Sequence, residues 1–311
     1  MDALTALLDG PRAQGAFLLK SVLAAPWSLR IADEAPLTLA AVVHGSAWLL
    51  PDGAAPIGLG PGDVLVQRGP DSYTVADPPG TEPQVIIEPG QLCRAPDGSE
   101  VKLMGDLGVR TWGNDAAGTT TLVTGTYGMD GDVTRRLLQS LPTTIVVRAS
   151  EWDSPLLGLL SEEISRDVPG QQAMLDRLLD LLLISVLRSW FGRPEAAPPR
   201  WYRAAGDAVV GPALRLVHDQ PSEPWTVASL ARAAGSSRAV LARRFHELVG
   251  EPPMTYLTNW RLDLAADLLA EPGLTLAAVA RQVGYSTPFA LSAAFKRQRG
   301  ISPSAHRATR S

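Results

Sequence analysis

The sequence predicts an α+β chain in two parts: a strand-rich barrel or sandwich with trailing helices, then an all-helical unit. Three observations carry this. Residues 1–150 hold short apolar runs separated by Gly/Pro turns, residues 155–191 switch to a helical period, and everything after a Pro-rich break at Gly192–Arg200 reads as helices joined by short turns. At 311 residues the chain is long enough for two ordinary domains.

The strand runs are "LTLAAVVHGSAWLL", "IGLGPGDVLVQ", "SYTVAD", "PQVIIEP", "TTTLVTGTYG" and "TTIVVRAS", with turns at "PDG", "GPG" and "DPPG". Short strands at such regular spacing build a sandwich or barrel. Helices are predicted over 155–168 and 171–191. In the second, Leu175, Leu178, Leu179, Leu182, Leu183, Val186 and Trp190 form an unusually broad apolar arc. One barrel face covers only part of such an arc, so the helix is expected to pair with a second copy across a two-fold axis. The alternative is packing only within the chain. "GRPEAAPPR" reads as a linker. The predicted division is therefore 1–192 (barrel to about 150, helices over about 155–191), a linker at 193–205, and a helical unit at 206–311.

Net charge is −4, which alone argues weakly against nucleic acid, but the average hides an asymmetry. Residues 1–200 carry 15 basic and 24 acidic side chains, whereas residues 201–311 carry 13 and 8. An acidic part joined to a basic part suits a sensor attached to a nucleic-acid binder. The longest apolar stretch, Leu178–Phe191, is broken by Asp180 and Arg188, which excludes a membrane span there. "MDALTALLDG" lacks the basic start and apolar core of a signal peptide, and the single cysteine, Cys93, excludes an internal disulfide. A cytoplasmic location is expected.

The helical part repeats itself. "TVASLARAAG" (Thr226–Gly235) precedes "TLAAVARQVG" (Thr275–Gly284) by 49 residues. In each copy a Thr caps a short helix, a Gly turns the chain, and Ser236 with Ser237, or Ser286 with Thr287, starts a second helix. Leu241 with Phe245 and Leu291 with Phe295 are the buried i, i+4 pairs. Helix, Gly-containing turn, helix is the helix-turn-helix, whose second helix enters the DNA major groove. Between the copies, Tyr256, Leu257, Trp260, Leu264 and Leu268 predict one connecting helix with a single apolar face.

Residues 208–308 resemble the AraC/XylS transcriptional regulators. The resemblance runs through "WTVASLARAAGSSRAVLARRFHELVGEPPMTYL", "WRLDLAADLL" and "LTLAAVARQVGYSTPFALSAAFKRQRGISPSAHR". The front half is similar, more loosely, to cupin-type sensor domains of one AraC subgroup through "PWSLRI", "VVHGSAWL", "LGPGDVLV" and "LLQSLPTTIVV". The resemblance implies a one-component regulator: a cupin-like β-barrel that senses a small molecule and a two-motif domain that binds double-stranded DNA. Partners on this reading are the operator, an unidentified effector, RNA polymerase and a second copy through helix 171–191. No metal or cofactor is expected.

In the first module, Arg238, Ala239, Ala242 and Arg243 fall opposite the buried pair. Arg243 is the best base reader, because Arg pairs bidentately with guanine O6 and N7. Arg238 and Arg244 suit phosphate, which positions without specifying. The competing reading is that these arginines only solvate a helix. The second module departs from the family pattern: Pro288, Phe289 and Ala293 stand where polar residues, often an Arg, are usual. Pro288 suits a first helical turn. Phe289 is expected to pack, contact with a thymine methyl being the other reading. Ser292 is the remaining short polar reader, and Thr287, Lys296 and Arg297 are expected to dock the backbone. The caps Thr226 and Thr275 complete the candidate DNA-binding set.

Trp27, His44, Trp48, Tyr73, Cys93 and Trp112 are the candidate effector contacts, with ordinary core packing as the bland alternative for each. Three other functions compete. A cupin enzyme needs a His-x-His pair, a Glu and a later His; His44 is followed by "GSAW", and His218, His246 and His306 all lie in the helical part. A redox-responsive regulator would act through Cys93, which lacks a resolving partner. The third is a nucleoid-type or partner-bound helical protein. There is no Ser/His/Asp or Cys/His arrangement, and "GLGPG" reads as a turn.

Overall fold

The computed structural model describes residues 17–309 other than 100, 102, 103, 129, 130, 153, 194, 195 and 197. The opening segment read above for a signal peptide lies outside them. The described chain divides into two compact units, one within residues 17–128 and 141–196, the other joining residues 131–140 to 198–309. Among the described residues no helix is long and apolar enough to cross a membrane.

The first unit is built on thirteen described strands: β1 (Phe17–Leu23), β2 (Trp27–Ile31), β3 (Leu37–His44), β4 (Ala47–Pro51), β5 (Ile57–Leu59), β6 (Val64–Arg68), β7 (Tyr73–Asp77), β8 (Val85–Glu88), β9 (Leu92–Arg94), β10 (Gly105–Gly108), β11 (Thr111–Gly113), β12 (Thr120–Tyr127) and β13 (Thr144–Val147). They form a seven-stranded sheet, β10-β11-β1-β12-β3-β6-β13, and a six-stranded sheet, β5-β4-β7-β2-β8-β9. Leu23, Val42, Leu65 and Leu122 from the first sheet meet Trp27, Leu29, Leu49, Val75 and Val85 from the second in one core. Every run singled out in the sequence became strand. β1 and β2 were not among those runs, because Lys20 and Ser21 in "FLLKSVL" and Ser28 and Arg30 in "WSLRI" break their apolar character, nor were β9 to β11, which are three or four residues long.

Between β12 and β13 the chain forms helix α1 (Asp132–Ser140), and after β13 come α2 (Leu156–Glu163) and α3 (Gln171–Phe191). The apolar arc of α3 is filled from within the chain. Leu175, Leu178, Leu179, Leu182, Leu183, Val186, Leu187 and Phe191 are all buried. The helix packs on both α2 and β13, and Tyr127 of β12 donates its hydroxyl to the Leu179 carbonyl at 2.9 Å. A Cβ at Gly125 would stand 2.7 Å from the Leu179 side chain, so this glycine lets the helix settle onto β12. The breadth of the arc, on which the pairing expected through 171–191 was argued, is thus accounted for largely within the chain. One face of the sheet and a second helix together cover most of the arc, leaving Met174 and Leu181 as the exposed large apolar side chains of the helix.

The second unit continues with α4 (Arg200–Ala205), α5 (Val210–Asp219), α6 (Val227–Ala233), α7 (Arg238–Val249), α8 (Pro253–Ala270), α9 (Leu276–Gln282), α10 (Pro288–Arg299) and α11 (Pro303–Ala308). The linker expected at 193–205 ends in α4, which is ordered by burial of Trp201 and Ala204. The connecting helix α8 is apolar on more than the one face expected. Tyr256, Leu257 and Trp260 are buried in its first half, and Leu262, Ala265, Ala266 and Leu269 in its second, while Leu264 and Leu268 are only partly covered. It serves two cores in succession. Tyr256 meets Phe245 edge-on at 5.6 Å, whereas the second half packs with Val279, Leu291 and Phe295.

Helix α1 also packs on α8 in this unit. Asp267 of α8 accepts the backbone N–H of Val133 at 3.1 Å, which satisfies a free donor at the start of α1. Arg136 lies 4.6 Å from the centre of the Tyr256 ring and pairs with Asp263 and Glu251. Arg299, the last residue of α10, bonds Asp132 at 2.6 Å and Asp263 at 2.7 Å. Nothing in the sequence singled out this nine-residue helix, which interrupts a stretch of strands.

Candidate functional site

The two repeated elements fold as the same object. Thr226 caps α6 by accepting from Ser229 N at 3.0 Å, and Thr275 caps α9 by accepting from Ala278 N at 3.2 Å. Gly235 and Gly284 adopt φ of +68° and +82°, the left-handed turn that a side chain resists. Gly284 has a second constraint, because a Cβ there would lie 2.7 Å from the Ser222 backbone. Arg261 of α8 holds that neighbouring loop through the Pro221 and Glu223 carbonyls, both at 2.6 Å. The first module's leading loop is thereby fixed against the second module's turn.

The second helices, α7 and α10, each have 12 residues, a hydroxyl cap (Ser237, Thr287) and a left-handed glycine end (Gly250, Gly300). From cap to end they correspond at a spacing of 50 residues, so the second turn carries one residue more than the first. Leu241, Phe245, Leu291 and Phe295 are fully buried. The surfaces opposite them differ. On α7, Arg238, Ala239 and Arg243 are exposed and Ala242 is half-buried. Arg243 makes an exposed pair with Glu247 at 3.2 Å, one turn along. Such a pair is weak in water and yields readily to a ligand.

Arg244 is placed differently. Its guanidinium grips Asp207 at 2.6 and 2.8 Å, and Asp207 also accepts the N–H groups of Val209 and Val210. The hydrogen bonds from Arg244 hold the Asp207 carboxyl well below the usual carboxylate range. Arg244 therefore braces α7 against the start of α5.

On α10, Phe289 is 85% exposed. This corrects the expectation that it packs: it sits one residue beyond Pro288, at the register of Ala239, and the buried side of the helix is already filled by Leu291, Ala294 and Phe295. Ala290 and Ala293 are exposed beside it, Ser292 is half-buried, and Lys296 and Arg297 are exposed further along. Ser236 is half-buried and Ser286 exposed in the two turns. The exposed Ala290 was not singled out in the sequence.

The first unit holds a cavity of about 60 Å³ between its sheets, lined from β1, β2, β3, β7, β11 and β12, among others. Of the six effector candidates, Tyr73 and Trp112 line it. Trp27 is fully buried in the core, and Trp48 lies with its ring against Gly58. His44 is exposed at the end of β3 and Cys93 on the short strand β9. Partial burial pushes the Cys93 thiol pKa up, which lowers its thiolate fraction. The cavity wall is mainly Leu, Ile, Val and Ala, with Ser21, Gln91 and Thr124 as polar members beside Tyr73 and Trp112, and among the described residues no charged side chain lines it. Burial raises the Tyr73 hydroxyl pKa, keeping it neutral, and it bonds to Thr38. The sequence did not single out Ser21 and Thr124: β12 is buried at nearly every position, so no alternation along it marks which polar residue faces the cavity. Among the described residues no three His, Cys, Asp or Glu side chains cluster as metal ligands would.

Comparison with known proteins matches residues 2–192 to the cupin family model and residues 230–309 to a helix-turn-helix domain model. A putative AraC-like transcription regulator of Streptomyces lividans is 33% identical over 287 residues, 90% of each chain. A second, from Streptomyces antibioticus, is 32% identical over 289 residues, again 90% of each. The HTH-type transcriptional regulator MtrA of Neisseria gonorrhoeae is 26% identical over 99% of this chain and 98% of its own. With a cupin-type first half, a duplicated helix-turn-helix in the second, and relatives that span both, the chain belongs to the AraC-like transcription regulators.

Proposed function

We propose that the two modules divide the work of operator binding: α7 reads bases through Arg243, and α10 docks on the backbone through Lys296 and Arg297. The carrying observation is that Arg243 is exposed and held only by a weak one-turn pair, whereas its register counterpart on α10 is an alanine. Arg244 takes a bracing role. The protein acts by binding and not by turnover.

The test uses full-length protein on a DNA site recovered from a random duplex library. Arg243→Ala relaxes base preference at one position, a loss of roughly 1–3 kcal/mol. Arg297→Ala weakens all sequences alike and lowers the salt slope by about one. Two variants that both shift affinity uniformly would overturn the division.

The first unit is the sensor on this reading, and its effector is a small, uncharged, mainly apolar molecule. A wall that is apolar with a few hydroxyl and amide groups, and uncharged among the described residues, discriminates against carboxylates and other ions. Native mass spectrometry should find a neutral molecule retained by the wild type and lost in Ala40→Phe, which fills the cavity; retention of a charged molecule in both would refute the class. A pairing of copies through α3 would use its exposed large apolar side chains, Met174 and Leu181.

A further inference from the structure

Phe289 is the most exposed large apolar side chain among the described residues. It is held out rigidly. The Thr287 hydroxyl accepts the Ala290 N–H at 3.1 Å, and Pro288 fixes the first helical turn. The ring therefore stands at a set point on the face that a helix-turn-helix turns toward the major groove. Ala290 and Ala293 flank it with methyl groups. No long polar side chain joins this edge before Lys296, and the Thr287 oxygen is already engaged in the cap.

Such an edge has one good partner among the four bases. Guanine, adenine and cytosine present donors and acceptors in the major groove; thymine also presents a methyl group. Aromatic wedges that unstack base steps enter from the minor groove, which is not the groove a recognition helix occupies. We infer that Phe289, with Ala290 and Ala293, reads thymine methyl groups, so that the second half of the operator is specified by thymine where the first is specified by the guanine partner of Arg243. This rests on the DNA-binding reading above and sharpens it, giving base recognition to a helix otherwise left to docking.

The experiment is in vitro selection from a random duplex library with full-length wild type, Phe289→Ala, Phe289→Leu and Arg243→Ala. The wild type should enrich sites with fixed thymine at one or two positions away from the guanine read by Arg243. Phe289→Ala should lose the thymine preference and keep the guanine, Arg243→Ala should do the reverse, and Phe289→Leu, which keeps apolar surface, should retain thymine. Deoxyuridine placed at those thymines removes only the methyl. It should weaken wild-type binding roughly three- to fivefold per methyl, the value of one buried methylene-sized group, and leave Phe289→Ala unaffected. Equal wild-type affinity for thymine and deoxyuridine duplexes, or an unchanged thymine preference in Phe289→Ala, overturns the inference while the DNA-binding reading stands. A wild-type protein that enriches no sequence removes both.

Discussion

The two helix-turn-helix modules agree in what they hide and differ in what they show. Each has a hydroxyl cap, a left-handed glycine, a 12-residue second helix and a fully buried Leu/Phe pair. Outward, one presents Arg238 and Arg243 and the other Phe289, Ala290 and Ala293. A duplicated scaffold is constrained by its caps, turns and core, because each missing part costs folding free energy. The outer face carries no such cost, so it is free to diverge into two kinds of recognition.

The scaffold half of this comparison is the easiest to break. Phe245→Ala and Phe295→Ala should each destabilise the helical unit by roughly 3–5 kcal/mol, since both rings are fully buried. Urea unfolding of the two variants side by side measures this. A large loss in one and a small loss in the other would mean that the modules are not equivalent supports.

A smaller effect sharpens the difference. The first module's recognition helix is braced in its middle by an ion pair, Arg244 with Asp207, where the counterpart on α10 is the buried Ala294; α10 is tied instead at its end, through Arg299 to Asp132 and Asp263. Asp207→Ala should cost about 1 kcal/mol at neutral pH, mainly by leaving the N–H groups at the start of α5 unpaired. Because the Asp207 carboxyl is held below its ordinary range, its contribution is present above the unfolded carboxylate pKa and is lost as pH falls through the folded one. The gap in stability between wild type and variant should therefore hold from pH 7 to about 5 and narrow below about 4. A gap that instead widens on acidification would show that the pair is not what braces the module.

These differences also show what the residues alone could reveal. The duplicated motif was legible because it depends on local chemistry: Thr and Ser at caps, Gly at a positive φ, apolar residues four apart. The strand-rich half was legible as a class because its turns carry Gly and Pro. What could not be read was which side chains tertiary packing leaves outside. Phe289 is apolar, and only the filled inner side of α10 reveals that it has nowhere to go. The leucines of α3 carry the opposite ambiguity, since a broad apolar arc looks the same whether a second copy covers it or the chain's own sheet and helix do. Trp27 and Trp48 were chosen for the cavity by residue type, but strand register placed Ser21 and Thr124 on its wall.

Helix α1 has a consequence for how this protein can be divided and recombined. Its residues lie in the middle of the cupin-matched sequence, yet its partners Asp263, Asp267 and Arg299 are in the helical unit. A cut at the Pro-rich break would take Arg136 away from Glu251 and Asp263, take Asp132 away from Arg299, and uncover the Tyr256 face that Arg136 shields. The heritable unit of exchange is consequently discontinuous. A chimera that grafts a new sensor ahead of residue 197 must carry its own version of 131–140, matched to the recipient's α8, or its DNA-binding half will lack a piece of itself.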